Sequence, residues 1–325
     1  MSANRRVVCL GEALVDFVCE RPVASLAEAD AFVPHPGGSL PNIAVCAARF
    51  GAGAEVLGGA GDDEWGLWLR DRLAAEGVGV DRFVLTPGAG TSHAFVSVDS
   101  ERDPSFAFYG DPERPAAYAG DDLDPALGGE PGVLVVGSDT LLGEAERRVT
   151  MRAAALARER GWQVLCDPNV RPRRWTDRDE MLRTIRELVA ASTAVKLNKS
   201  EARALTEEGD PATAGAALRD MGPEAVVVTL GGRGAVLARP SGSVAVPAVA
   251  TGVVDATGGG DCVAGVLAAA LAAGVDADGL EPALGVAMAA AGGVVRVWGA
   301  TAGLPEPAAA RAQLARAIAV ADTRE

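Results

Sequence analysis

From about residue 130 the chain alternates between two kinds of segment, and this alternation limits the fold more than any other feature. The short apolar runs GVLVVGS, WQVLCDP, TAVKLN and EAVVVTLGG read as buried strands, each closing on Gly, Asp or Asn. Helical stretches over Glu144–Arg160, Arg178–Ala191 and Thr213–Met221 separate them. Strand, helix, strand repeated in this way predicts βαβ units, which require a parallel sheet with helices on both faces. The N-terminal VVCLGEALVDF, the helical PNIAVCAARFG and the strand AEVLGGAGDD extend the scheme, followed by a helix over Asp62–Glu76 that puts Trp65, Leu69 and Leu73 on one face. At 325 residues and 49% apolar, the chain can bury a large core. The expectation is an α/β fold with a central, mostly parallel sheet, in one domain over residues 1–325.

Two segments interrupt the pattern. Phe17–Pro36 and Thr91–Tyr109 show no helical periodicity, while HAFVSVD and PSFAFY alternate around SERD as an antiparallel hairpin. Strands inserted at about 17–36 and 91–110 would form a small sheet lying over the carboxyl edge of the main one, where open α/β sheets bind ligands. HPGG around His35 reads as a turn, and His93 falls in an apolar strand.

Composition removes several functions. A formal charge of −14 lacks the basic footprint of nucleic-acid or anionic-membrane binding. The longest uncharged apolar run, Cys262–Val275, is too short to span a bilayer, and Glu12 and Asp16 interrupt what would be a secretory apolar region. Five cysteines without a CxxC suggest reduced thiols in a cytoplasmic setting. Lys occurs only at 196 and 199, with no Walker A loop and no VAIK context, and His only at 35 and 93, too few for a His-rich metal site or a Ser-His-Asp triad.

The chemistry concentrates in DATGGGDCVAG, Asp255 to Gly265. Gly258, Gly259 and Gly260 let backbone amides approach a ligand, and the N-terminus of the helix that follows attracts an anion. Asp261 is either a proton acceptor beside that anion hole or a plain helix cap. A cap needs one Gly or Asp, and the excess of glycines favours function. Asp16, at a strand end, suits ligand hydroxyls or a solvated turn. Gly38 would let a ligand meet the backbone, and Asn42 can both donate and accept. Arg171 in CDPNVRPRRW is either a phosphate partner or an exposed loop residue. Asn198 and Glu201 are a helix cap or a Mg²⁺ element. Asp255 and Thr257 suit a monovalent cation or an Asx turn, and Cys262 reads as a small packing residue.

In combination these motifs resemble the ribokinase-like (PfkB-type) carbohydrate kinases. DATGGGDCVAG is similar to the C-terminal signature of that family, CLGEALVDF to its first strand with a sugar-binding Asp at Asp16, and PGGSLPNIAVCAARFG to its second signature with Gly37, Gly38 and Asn42. KLNKSEA resembles the NxxE element at Asn198 and Glu201, and TLGGRGAVL the nucleotide-site strand and turn, with Thr229, Gly231, Gly232 and Gly234. GEALVDF, SFAFY with Phe108, and CDPNVRPRRW are most similar to fructokinases. The resemblance implies an α/β/α sandwich with a β lid, ATP and Mg²⁺ as requirements, K⁺ for some members, Asp261 as base, and a homodimer through the lid. It implies transfer of the γ-phosphoryl of ATP to a primary hydroxyl of a neutral sugar, fructose first, with ribose or 2-keto-3-deoxygluconate as alternatives. A non-catalytic sugar sensor would lack the base, and a dinucleotide oxidoreductase would need a GxGxxG that VVCLGEALVDF does not contain. Gly110 stands where many relatives, including those acting on sugar acids, carry Arg, which leaves Arg114 and Arg171 as the cations that could meet a substrate carboxylate. Met288 stands where some relatives place an adenine-contacting Asn.

Overall fold

The computed structural model describes residues 6–110, 122–249 and 252–322. Among them nine strands form one sheet in the order β13-β12-β11-β10-β9-β8-β1-β4-β5. These are β1 (Arg6–Glu12), β4 (Gly53–Gly61), β5 (Phe83–Thr86), β8 (Val133–Gly137), β9 (Gln163–Asp167), β10 (Ala194–Asn198), β11 (Ala225–Thr229), β12 (Ala235–Arg239) and β13 (Gly242–Val246). From β5 to β11 every neighbouring pair is parallel, and only the β11–β12 and β12–β13 pairs are antiparallel. The chain leaves β1 toward β4 and β5, then returns to the other side through β8. That reversal opens a crevice at the carboxyl ends of the strands.

Alternate residues of each strand serve opposite faces. Val7 and Cys9 join one apolar layer with the helices Ser39–Arg49, Gly259–Ala272 and Leu280–Val294, while Val8 and Leu10 join the other with Glu144–Glu159 and Arg178–Ala190. The Gly259–Ala272 helix is buried along almost its whole length, as its unbroken apolar composition requires. It can lie this deep because Gly265 faces the Ser39–Arg49 helix, where a Cβ would fall 2.5 Å from Cys46 Cβ. Burying this helix carries its N-terminus, and Asp261, to the middle of the crevice. Among the described residues no helix is long and apolar enough to cross a membrane.

A second sheet of four strands runs β3-β2-β6-β7, formed by β2 (Leu14–Pro22), β3 (Val33–Gly37), β6 (His93–Val98) and β7 (Pro104–Tyr109). β6 and β7 form the expected antiparallel hairpin, whereas β2 and β6 pair in parallel. Three expectations need correction. The small sheet starts at Leu14 rather than near residue 17, because the chain breaks at Ala13 and changes sheets. His35 lies within β3 and not in a turn, its Nε2 2.9 Å from Glu20 Oε1. Trp65 does not share the buried face of Leu69 and Leu73: it is 38% exposed and packs edge-on against Phe17 of the small sheet.

Candidate active site

A cleft of about 730 Å³ lies between the carboxyl edge of the main sheet and the inner face of the small one. Asp167, Asn198 and Thr229, the last residues of β9, β10 and β11, line its floor, and Phe106 and Phe108 of β7 its roof.

At its centre the helix Gly259–Ala272 starts from Gly258, whose φ of +77° and whose distance of 2.3 Å between a built Cβ and the Ala300 carbonyl oxygen both demand glycine. Asp261 therefore sits inside the first turn and is not the cap. Its Oδ1 accepts from Ser39 Oγ at 2.8 Å and its Oδ2 from Asn42 Nδ2 at 2.9 Å, both from the first turn of another helix. Burial pushes the Asp261 carboxyl above its ordinary range, opposed by the Asn42 hydrogen bond, Lys196, Ser39 and Arg171. The amides of Gly260 and Asp261 have no intrahelical acceptor at this position. A raised, oriented carboxylate beside outward-facing amides can take a proton from a hydroxyl while an anion is held next to it.

Asp16 sits inside β2 of the small sheet and not at the end of β1, paired with His35 of β3 and Ala94 of β6. It is 5% exposed and faces the cleft. Gly37 makes room for it, since a Cβ there would fall 2.4 Å from Asp16 Oδ2. Gly37 thus shapes the site without lining the cleft, whereas Gly38 and Asn42 line it directly. Burial first, then the Asp261 and Asp255 carboxylates, push Asp16 up to about 7 against the pull of Arg171. Arg171 lines the cleft with its guanidinium 5.3 Å above the Phe106 ring, and Arg174 lies 5.0 Å above Phe108.

At the other end, Asn198, Glu201, Thr229 and Gly231 line the cleft, but Gly232 and Gly234 do not. Gly234 serves the β11–β12 connection, where its φ of +93° and a built Cβ 2.1 Å from the Val246 carbonyl oxygen exclude a side chain. Asn198 and Glu201 form a capping box, and Glu201 accepts from Asn198 N at 2.8 Å and from Val170 N at 2.7 Å. Both Glu201 oxygens are thus engaged by backbone donors, one each. Asp255 is fully buried and makes the Asx turn, accepting from Thr257 N at 2.9 Å and Gly299 N at 3.2 Å. Thr257 Oγ1 is buried with no hydrogen-bond partner. Gly259 packs toward Val295 outside the cleft, and Met288 lies in the core. Cys262 is buried against Cys46. Arg114 lies outside the described residues.

Four residues of the site escape sequence reasoning. Ser39 and Arg174 sit beside recognised motifs but carry no distinguishing spacing. Asp167 was visible only as an acid ending a strand. Lys196 lies in no kinase lysine motif, yet its Nζ meets Asp167 Oδ2 at 2.9 Å beneath Gly260.

A buried carboxylate at a helix N-terminus, below a β roof and at the switch point of a parallel sheet, fits the class of ribokinase-fold kinases. The family model for pfkB family carbohydrate kinases matches residues 4–307. The chain belongs to this family and is a carbohydrate kinase. Fructokinase-1 of Zea mays is 34% identical over 270 residues, 82% of this chain and 83% of the relative. A fructokinase from Vibrio cholerae O395, solved with fructose, ADP and calcium ion, superposes with a TM-score of 0.85 at 29% identity, over 96% of this chain and 99% of that one. An aminoimidazole riboside kinase from Salmonella enterica, solved with its riboside and an ATP analog, reaches 0.82 at 28% identity over 95% and 99%.

Proposed function

We propose that the protein is a fructokinase that transfers the γ-phosphoryl group of ATP to the 6-hydroxyl of fructose. The observation that carries this reading is the Asp261 carboxylate, buried at the helix N-terminus and aimed by Ser39 and Asn42. The sugar oxygen forms a bond to the γ-phosphorus while the bond from that phosphorus to the β,γ-bridging oxygen breaks. The hydroxyl proton passes to Asp261, and the bridging electron pair leaves with ADP. The amides of Gly260 and Asp261 face the charge that accumulates on the phosphoryl oxygens. Asp16, Gly38 and Asn42 hold the sugar, Phe106 and Phe108 cover it, and Arg171 bridges the sugar and phosphate ends. Asn198, Thr229 and Gly231 border the nucleotide.

A divalent cation supplies neutralisation of the phosphate charge when bound. No group of three His, Cys, Asp or Glu among the described residues could cage such an ion. This suits Mg²⁺, which keeps its waters and relies on substrate phosphates, with Glu201 reached through water. The buried Asp255 carboxylate and the partnerless Thr257 hydroxyl are suited to K⁺.

The charge of the site favours a neutral sugar. Asp16 and Asp261 are both buried and burial raises both, so a substrate carboxylate would be set beside two further carboxyl groups in a desolvated pocket. Fructose stands ahead of ribose because of the fructokinase relatives. The test is competition among fructose, ribose and 2-keto-3-deoxygluconate at equal concentration with limiting ATP. Fructose should be consumed first; preference for the sugar acid would overturn the reading and point to Arg114 or Arg171 as its carboxylate partner.

A further inference from the structure

Lys196 is one of only two lysines in the chain and is 5% exposed. Its ammonium has three donors, and among the described residues one acceptor lies within hydrogen-bond reach, Asp167 Oδ2 at 2.9 Å. The β9–β10 register explains the pairing: Ala194 lies beside Leu165 and Val195 beside Cys166, which brings Lys196 next to Asp167. Both residues line the cleft together with Gly258, Gly260 and Asp261. A Cβ built on Gly260 would fall 2.7 Å from Nζ, so the ammonium lies directly against the glycine whose amide faces the cleft. The second oxygen of Asp167 is buried with no hydrogen-bond partner, although a purely structural ion pair would be expected to satisfy both. Two unengaged donors on a buried cation, beside a helix N-terminus, are suited to an anionic oxygen shared between them.

We propose that Lys196, anchored by Asp167, binds the transferring phosphoryl group opposite the amides of Gly260 and Asp261. The proposal rests on phosphoryl transfer in this cleft, and not on the identity of the sugar. Glycine at 260 then has a second purpose, since any side chain there would displace the ammonium.

The test uses the full-length protein and separates this role from that of a structural pair. Lys196→Gln alone strands a buried carboxylate and can unfold the chain for that reason, so the double variant Lys196→Gln/Asp167→Asn, neutral at both positions, accompanies it. Affinities for a non-hydrolysable ATP analogue and for ADP are measured by calorimetry well below the melting temperatures, together with kcat and the sugar KM. In the double variant kcat should fall on the order of 10²–10³-fold. Affinity for the ATP analogue should fall at least about tenfold more than affinity for ADP, with the sugar KM unchanged within about twofold. Lys196→Arg, which keeps the charge but not the point geometry, should recover part of the ATP preference. A folded double variant that keeps the wild-type ratio of ATP to ADP affinity overturns the proposal, whatever its kcat. A wild-type protein that phosphorylates none of the three sugars would refute the fructokinase reading, and the nucleotide comparison would still decide on Lys196.

Discussion

Asp261 has two neutral donors for company, Ser39 and Asn42, and neither can replace it as a proton acceptor. Asp261→Asn keeps the shape and loses the base, so kcat should fall by ~10²–10⁴ while calorimetry still shows sugar and nucleotide binding. A loss below about tenfold would remove Asp261 from the chemistry. Asp16 makes a prediction about stability. Burial raises it from an ordinary 3.8 to about 7. Below pH 4 it is protonated in both the folded and the unfolded chain, and the stability this provides is lost as the pH rises through about 7, where the folded state must ionise a buried acid. Asn at this position does not ionise. Relative to the wild type, Asp16→Asn should therefore gain roughly 2–4 kcal/mol in urea unfolding between pH 4 and pH 8. A difference that stays flat across this range would place Asp16 among ordinary carboxylates.

The connection after β9 and the roof strand β7 work as a pair of elements. Phe106 and Phe108 stack on each other along β7 and are capped by Arg171 and Arg174 from the PNVRPRRW segment. Arg174 also reaches Asp139 at 3.2 Å and Glu12 at 3.9 Å, which ties the small sheet to the ends of β8 and β1. Removing the guanidinium should release the roof while leaving Asp261 in place. Arg174→Met should speed hydrogen exchange over residues 104–109 and raise the sugar KM about three- to tenfold, with a smaller effect on kcat. Unchanged exchange would mean that the roof is held by its own strands. The helix start at Gly258 is less forgiving. Gly258→Ala forces a Cβ against the Ala300 carbonyl in a left-handed backbone, and should lower stability by at least about 2 kcal/mol in thermal or urea unfolding.

In the whole molecule the small sheet has two apolar faces and one cleft to cover. Val18, Ala94, Val96, Phe106 and Phe108 face inward, whereas Phe17, His93, Phe95 and Tyr109 share the outer face, with Tyr109 55% exposed. Trp65 covers Phe17 and Phe32 packs on Phe95, while Tyr109 stays exposed on the edge strand. We expect sedimentation as a homodimer, with Phe95→Glu shifting the mass toward the monomer. A monomeric wild type, with and without sugar, would refute this.

Much of this molecule was legible in its sequence because the signals are local. The βαβ alternation, the hairpin around SERD and the glycine-to-acid start of the helix at Gly259 all depend on periodicity and backbone sterics within a few residues. What the tertiary structure decided depends on residues far apart in the chain. Asp261 is aimed into the cleft because Ser39, 222 positions away, supplies a donor to it. Glu201 is drawn into a capping box that also holds Val170. Asp16 changes sheets at Ala13, a break that no apolar pattern records. Lys196 meets Asp167 only through the β9–β10 register. Local sequence sets which elements form, whereas the direction and charge state of a buried side chain are set by what surrounds it after the elements have packed.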